Sequence, residues 1–164
     1  MIELILLDVD GTLTNGELIY NHDLIESKTF NIKDGLGLVL WQKLGKKVAV
    51  ISGRDSKITA FRMKELGITD VFMGISDKAL IASKIKEELH LKTSEVACIG
   101  DDLNDLAMFK ECGLSFAPSD ASQWLQESAD VVLKSPGGAG AVREMIEYIL
   151  LKDGLKDEAL GFYQ

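Results

Sequence analysis

The chain has 164 residues, a net charge of −8 and a hydrophobic content of 46%, which suits one α/β domain spanning residues 1–164. The acidic balance disfavours nucleic acids and anionic membranes as partners, because both bind basic surfaces. No apolar run approaches the roughly 18 residues of a membrane helix, and Cys98 and Cys112 lack the spacing of metal ligands. Free thiols are typical of a reducing compartment, so the sequence predicts a cytoplasmic protein.

The first predicted element is a short buried strand at 4–7, which runs into Asp8-Val9-Asp10-Gly11. Because side chains alternate along a strand, Asp8 and Asp10 point the same way, and Gly11 lets the chain turn just beyond them. Two carboxylates held this close repel unless a cation lies between them or one takes a proton. The spacing therefore indicates a divalent metal, an acid/base pair or both, the alternative being a turn with two solvated aspartates.

A β-hairpin is predicted next, over 16–30, around the turn-forming residues Asn21-His22-Asp23. Helices and short apolar strands then alternate without a linker, and a short polar tail ends the chain. The predicted helices are 34–44, 55–66, 77–89, 103–111, 121–127 and 141–151, and the predicted strands are 47–51, 71–73, 96–99, 114–116 and 131–133. This alternation predicts a Rossmann-like parallel sheet with helices on both faces.

The residues that can carry chemistry follow the predicted strands. Asp8 and Asp10 follow the first strand, Ser52 follows the one at 47–51, Lys78 lies beyond the one at 71–73, and Asp101 follows the one at 96–99. In parallel sheets ligands bind at the carboxyl ends of the strands. We therefore expect these side chains to meet in one crevice.

Four motifs in this order resemble those of the haloacid dehalogenase-like phosphohydrolases, and the resemblance covers nearly the whole chain. They are Asp8-Val9-Asp10-Gly11-Thr12, Ile51-Ser52-Gly53-Arg54, Asp77-Lys78 and Gly100-Asp101-Asp102-Leu103-Asn104-Asp105. The resemblance implies that Asp8 attacks phosphorus to form an aspartyl-phosphate, while Asp10 serves first as the general acid and then as the base. Ser52 and Lys78 are expected to stabilise the phosphoryl oxygens.

The same resemblance implies Mg²⁺ as the cofactor. The ion is expected between Asp8, Asp101 and the backbone carbonyl of Asp10. Asp105 or Asp102 would then orient Lys78 or a metal-bound water.

The segments between the motifs are too short to hold a cap domain. The chain is similar to the capless 3-deoxy-D-manno-octulosonate 8-phosphate phosphatases of lipopolysaccharide synthesis. The segments that carry this resemblance are 30–37, Ser52-Gly53-Arg54 and the Gly-rich segment 137–144. The resemblance implies a homotetramer in which the hairpins form a central barrel and each C-terminal tail reaches towards a neighbouring site. The substrate-binding positions of that family fall on Asp10, Asn31, Ile32, Lys33, Asp34, Gly35, Arg54, Arg62 and Lys78.

Some positions depart from that family, and two alternatives stay open. Thr12 and Asn15 stand where Val and Asp are more usual, which leaves the acidic pair intact, and Ala139 and Val39 replace arginines, which weakens the substrate assignment. The first alternative is a phosphatase for nine-carbon sialic-acid-type 9-phosphates. Arg54 favours the eight-carbon substrate, because the nine-carbon enzymes tend to carry Glu at this position. The second is a phospho-acceptor receiver domain, which the missing acceptor at the end of the 47–51 strand disfavours.

Overall fold

The computed structural model describes residues 1–164, and its strands and helices alternate along the chain. The strands are β1 (Leu4–Leu7), β2 (Ile19–Tyr20), β3 (Glu26–Ser27), β4 (Lys47–Ile51), β5 (Asp70–Phe72), β6 (Val96–Ile99), β7 (Leu114–Ala117) and β8 (Val131–Val132). The helices are α1 (Ile32–Lys43), α2 (Lys57–Glu65), α3 (Lys78–Glu88), α4 (Leu106–Phe109), α5 (Gln123–Gln126), α6 (Ala141–Lys152) and α7 (Lys156–Gly161), with 3₁₀ turns at Thr93–Glu95 and Leu103–Asp105.

Six strands form one parallel sheet in the order β5-β4-β1-β6-β7-β8. β1 lies at its centre, with Leu7 opposite Val50 of β4 and Ile99 of β6. The chain first builds outwards from β1 to β5 and then returns to β6, so the strand order reverses between β1 and β6. Ligands of open parallel sheets bind at such a reversal.

Side chains of β1 point alternately into two hydrophobic cores, one on each face of the sheet. Ile5 and Leu7 join the larger core, which α1, α2, α6 and α7 cover. Leu4 and Leu6 join the smaller one, which α3, α4 and α5 cover. The predicted parallel sheet with helices on both faces is therefore confirmed.

The segment between β1 and α1 holds only the two-stranded hairpin of β2 and β3, in which Tyr20 pairs with Glu26. No cap domain interrupts the fold, as the sequence predicts. Several apolar side chains of the hairpin are exposed: Leu18 (57%), Ile19 (46%), Leu24 (81%) and Ile25 (61%). None of the helices combines the length and the hydrophobicity that a membrane span requires.

Besides shifts of one or two residues at other element ends, three segments differ from the prediction. Helix α1 begins two residues earlier than expected because the Asn31 side chain caps it by accepting from the Lys33 N–H. The predicted helix at 103–111 is split into a 3₁₀ turn and the short α4. The predicted polar tail is instead helix α7, whose Ala159 is buried, and the ring of Tyr163 beyond it lies 4.8 Å from the Lys43 ammonium.

Candidate active site

A polar crevice opens at the carboxyl ends of β1, β4 and β6. It has a volume of about 190 Å³, and no hydrophobic residue lines it. The lining residues are Asp8, Asp10, Ser52, Gly53, Arg54, Asp101, Asp102 and Asn104. The structure thus brings together the polar residues that the strand pattern places at the carboxyl edge of the sheet.

Lys78, the first residue of α3, lies at the base of the site with a fully buried side chain. Its ammonium is 2.5 Å from Asp8 Oδ1 and 2.6 Å from Asp105 Oδ1. Burial alone would lower the pKa of Lys78, but the charges of Asp8 and Asp105 outweigh it and raise that pKa above its ordinary value. The side chain is therefore a fixed cation beside Asp8.

One lysine does not neutralise the acids around it. Carboxylate oxygens of Asp8, Asp101 and Asp105 lie within 4.8 Å of one another. The pKa of Asp8 is raised to about 7, mainly by burial and to a smaller extent by the charge of Asp105. The pKa of Asp101 is raised to about 8, mainly by burial and to a smaller extent by the charge of Asp8. Such a cluster of oxygens, short of positive charge, fits a hard divalent cation such as Mg²⁺.

Asp105 differs from the other two acids because both of its oxygens have partners. Oδ1 accepts from Lys78, and Oδ2 accepts from the backbone N–H of Asp101 at 3.0 Å. A Cβ at Gly100 would lie 2.4 Å from the Asp105 carboxyl group, so a glycine is needed there. Asp102 is exposed and caps the N–H of Leu103 instead. Of the two candidate acids, Asp105 is the one that contacts Lys78.

Two glycine positions let the backbone approach the acids. A Cβ at Gly11, whose φ is +93°, would lie 2.0 Å from Asp101 Oδ2. The Gly-rich loop before α6 packs on the other side of the turn, where Gly138 N–H donates to the Thr12 carbonyl at 3.0 Å. A Cβ at Gly137 would lie 1.9 Å from the Gly11 carbonyl oxygen. The loop therefore supports the acidic turn from behind, while Ala139 is exposed.

Ser52 and Arg54 approach from the end of β4. Ser52 is buried, and its Oγ accepts from the Arg54 N–H at 3.3 Å. The Arg54 guanidinium turns towards the hairpin, where Nη2 donates to Glu26 Oε1 at 2.7 Å and to the Tyr20 hydroxyl at 3.0 Å. Its buried Nη1 has no partner.

The sequence analysis missed Lys28, which comes directly after β3. Its ammonium lies 2.5 Å from Asp10 Oδ1, and its side chain is only 2% exposed. No sequence pattern marks this lysine, because a charged residue beside a short strand is usually exposed to solvent.

The remaining predicted substrate positions lie outside the crevice lining. Asn31, exposed Ile32 and Lys33, Asp34 and Gly35 form the start of α1. The Arg62 guanidinium lies against Gly35, where a Cβ would be 2.4 Å from Nη2. These positions form a second cluster, outside the lining of the crevice.

Asp34 has a different environment from its neighbours in this cluster. Its buried carboxylate accepts from the backbone N–H groups of Gly140 at 3.3 Å and Arg143 at 2.8 Å, so it caps α6. Burial raises its pKa, although these hydrogen bonds oppose the rise.

Comparison with known proteins gives consistent results. A family of haloacid dehalogenase-like hydrolases matches residues 56–146. The chain is 40% identical to 3-deoxy-D-manno-octulosonate 8-phosphate phosphatase of Escherichia coli K12, covering 98% of this chain and 85% of the relative. It is 39% identical to that of Haemophilus influenzae, covering 98% and 91%.

Solved structures agree with these relatives. The Moraxella catarrhalis phosphatase of that name, in complex with magnesium, phosphate and KDO, is 36% identical with a TM-score of 0.95, covering 99% of this chain and 94% of that one. The cobalt-bound Haemophilus influenzae phosphatase is 39% identical with a TM-score of 0.89, covering 93% and 90%. The haloacid dehalogenase-like fold is therefore confirmed.

Proposed function

The chain belongs to the haloacid dehalogenase-like hydrolases, and within them to the 3-deoxy-D-manno-octulosonate 8-phosphate phosphatases, and we propose that it hydrolyses 3-deoxy-D-manno-octulosonate 8-phosphate to the free sugar acid and phosphate. The observation that carries this proposal is the cluster of buried Asp8, half-buried Asp101 and buried Asp105 at the strand ends, with Lys78 between Asp8 and Asp105. We assign the roles below on that basis.

Asp8 is the proposed nucleophile. One of its carboxylate oxygens forms a bond to phosphorus while the bond between phosphorus and the sugar oxygen breaks. The electron pair of the broken bond stays on the sugar oxygen. Asp10 then protonates the sugar oxygen, and later it takes a proton from the water that attacks the aspartyl-phosphate. The position of both acids in one polar crevice supports this division of roles.

The other residues stabilise charge. Lys78 and Ser52 are placed to interact with the phosphoryl oxygens, on which charge collects during transfer. Asp105 holds Lys78 and the turn after β6. Asp8, Asp101 and the backbone carbonyl of Asp10 would hold Mg²⁺, which supplies the positive charge that lets an anionic nucleophile approach an anionic phosphate.

The sugar acid is proposed to extend out of the crevice. At about 190 Å³, the crevice is smaller than the ~300–1,000 Å³ of pockets that enclose whole organic ligands, so it suits the phosphate and the metal. Arg54 lines the crevice and has one unpartnered guanidinium nitrogen, so it is suited to the sugar carboxylate. The second cluster, Asn31, Ile32, Lys33, Asp34, Gly35 and Arg62, is proposed to contribute backbone and side-chain groups for the hydroxyls.

A substrate panel tests this assignment. We expect Mg²⁺-dependent, repeated phosphate release, with a higher kcat/KM for the eight-carbon 8-phosphate than for a nine-carbon sialic-acid-type 9-phosphate. An equal or reversed preference would contradict the substrate assignment. Release of a single equivalent of phosphate would contradict an enzymatic role altogether.

A homotetramer is also proposed, because an open crevice needs a cover and the hairpin exposes Leu18, Ile19, Leu24 and Ile25. Light scattering should give about 72 kDa, which is four times 18.0 kDa. Ile25→Lys should lower that mass, whereas Leu151→Lys, an equally exposed change on α6, should not. A mass of one chain for the unaltered protein would refute the tetramer.

Two expectations of wider scope belong to the same proposal. Residues 1–164 are proposed to be a single domain, which the continuous six-stranded sheet supports. A cytoplasmic location is proposed from the free thiols of Cys98 and Cys112.

A further inference from the structure

Lys28 is a buried cation that the proposed mechanism does not use. Its side chain is 2% exposed, and its ammonium lies 2.5 Å from Asp10 Oδ1 at the edge of the crevice. Removing a lysine ammonium from water is unfavourable unless the charge is paired. A lysine in this position therefore requires Asp10 as its partner, and it restricts where the Asp10 carboxylate can point.

The two oxygens of Asp10 have different surroundings. Oδ1 accepts from Lys28, while Oδ2 is buried and has no hydrogen-bond partner in the protein. Buried polar atoms are nearly always paired, so an orphaned oxygen in a crevice needs an explanation. Because the ammonium occupies Oδ1, Oδ2 is the oxygen left to carry and deliver a proton.

The position of the Lys28 ammonium group is itself fixed. Glu26 Oε1 lies 3.9 Å from the Lys28 ammonium and 2.7 Å from Arg54 Nη2, while Glu26 Oε2 accepts from Ser56 Oγ at 2.8 Å. These contacts join the hairpin to the loop after β4. Lys28 is thus held by a network anchored on two elements of the fold.

We propose that Lys28 is a positioning residue, which holds Asp10 Oδ1 so that Oδ2 faces the leaving oxygen of the substrate; the inference rests on the proposed function. In the first step Asp8 bonds to phosphorus, the bond from phosphorus to the leaving oxygen breaks, and the proton on Asp10 Oδ2 moves to that oxygen. In the second step a water oxygen bonds to phosphorus, its proton returns to Oδ2 and Asp8 is released.

The test uses the dependence of rate on the leaving group. A sugar alkoxide leaves poorly and needs the proton from Asp10, whereas p-nitrophenolate leaves without much assistance. For Lys28→Met we expect single-turnover cleavage of the sugar phosphate to fall by roughly tenfold or more, since positioned acids contribute factors of about 10²–10⁴. The single-turnover release of p-nitrophenol should fall by less than about threefold. Lys28→Arg should restore part of the sugar-phosphate rate.

Two controls separate positioning from folding and from substrate binding. Lys84→Met removes an exposed lysine on α3 that pairs only with Glu88, and it should leave both rates unchanged. Adding Lys28→Met to Asp10→Asn should cause no further loss, because Lys28 acts through Asp10. A full additional loss in the double variant would overturn the proposal.

Other results would also overturn it. An equal fall for both leaving groups would indicate a structural role only, and a rise in KM at unchanged kcat would indicate that Lys28 binds the sugar acid directly. If Lys28→Met does not fold by circular dichroism, Lys28→Gln gives the same comparison. A series of aryl phosphates with poorer and poorer leaving groups tests Lys28 even if the chain does not hydrolyse the sugar phosphate, so the two proposals can fail separately.

Discussion

Removing one carboxylate from the acidic cluster should stabilise the metal-free protein while destroying its metal site. Asp101→Asn deletes the acid whose pKa is raised to about 8 by burial and by the charge of Asp8. An acid with a raised pKa in the folded state binds its proton more tightly when folded. Its contribution to stability is therefore present at low pH and is lost as the pH rises from about 4 to about 8.

The magnitude follows from the size of that rise. A change from 3.8 to about 8 corresponds to a ceiling of about 6 kcal/mol, at ~1.4 kcal/mol for each pH unit. The same repulsion also raises the pKa of Asp8, so it is shared between the two acids. We therefore expect the free energy of unfolding of Asp101→Asn to exceed that of the unaltered chain by ~3 kcal/mol at pH 8.5, which corresponds to about 6–12 °C in Tm.

Urea unfolding in a chelator, at pH 5 and at pH 8.5, measures this difference. The gain should be largest at pH 8.5 and fall to about a quarter of that value at pH 5, because only the interval from 3.8 to 5 then contributes. Millimolar Mg²⁺ should raise the stability of the unaltered chain but not that of Asp101→Asn. Asp157→Asn, an exposed change of the same charge in α7, is the matched control. Equal stabilities at pH 8.5, or a loss in Asp101→Asn, would refute the account of an acidic cluster short of positive charge.

Three further substitutions test other parts of the site. Asp8→Asn should abolish turnover while circular dichroism shows an intact fold, and measurable turnover would exclude Asp8 as the nucleophile. Gly137→Ala should lower the free energy of unfolding in urea by more than ~3 kcal/mol, because its Cβ would lie 1.9 Å from the Gly11 carbonyl oxygen. The control Gly161→Ala, whose Cβ would have nothing within 4 Å, should be neutral. Asp34→Ala should lose ~1–2 kcal/mol with the cap of α6, and an unchanged urea midpoint would contradict that capping role.

Much of the sheet could be predicted because its signals are local. β1, β4 and β6 have the predicted bounds, since each contains four consecutive apolar residues and stops at a polar turn. The acids of the crevice follow from the same pattern together with the rule for parallel sheets. The prediction of one continuous helix at 103–111 was wrong, because the Asp105 carboxylate accepts a hydrogen bond from the backbone N–H of Asp101. The spacing of apolar residues does not reveal such a contact.

The contacts between distant segments could not be predicted. Lys28 pairs with Asp10 across the base of the hairpin, and a charged residue beside a two-residue strand would usually be solvated. Asp34 reaches the start of α6, more than a hundred residues later in the chain. Neither contact leaves a periodic signal in the sequence. The separation of the α1 cluster from the acidic crevice likewise depends on how α1 packs, which spacing alone does not determine.

The support that Gly137 and Gly138 give to the acidic turn has a consequence for biosynthesis. The turn is synthesised first, and the backbone against which it rests emerges from the ribosome more than 120 residues later. A growing chain therefore holds its reactive aspartates without this support until the glycine loop has been synthesised. Catalytic competence should arrive late and abruptly, once the glycine loop can close behind the turn.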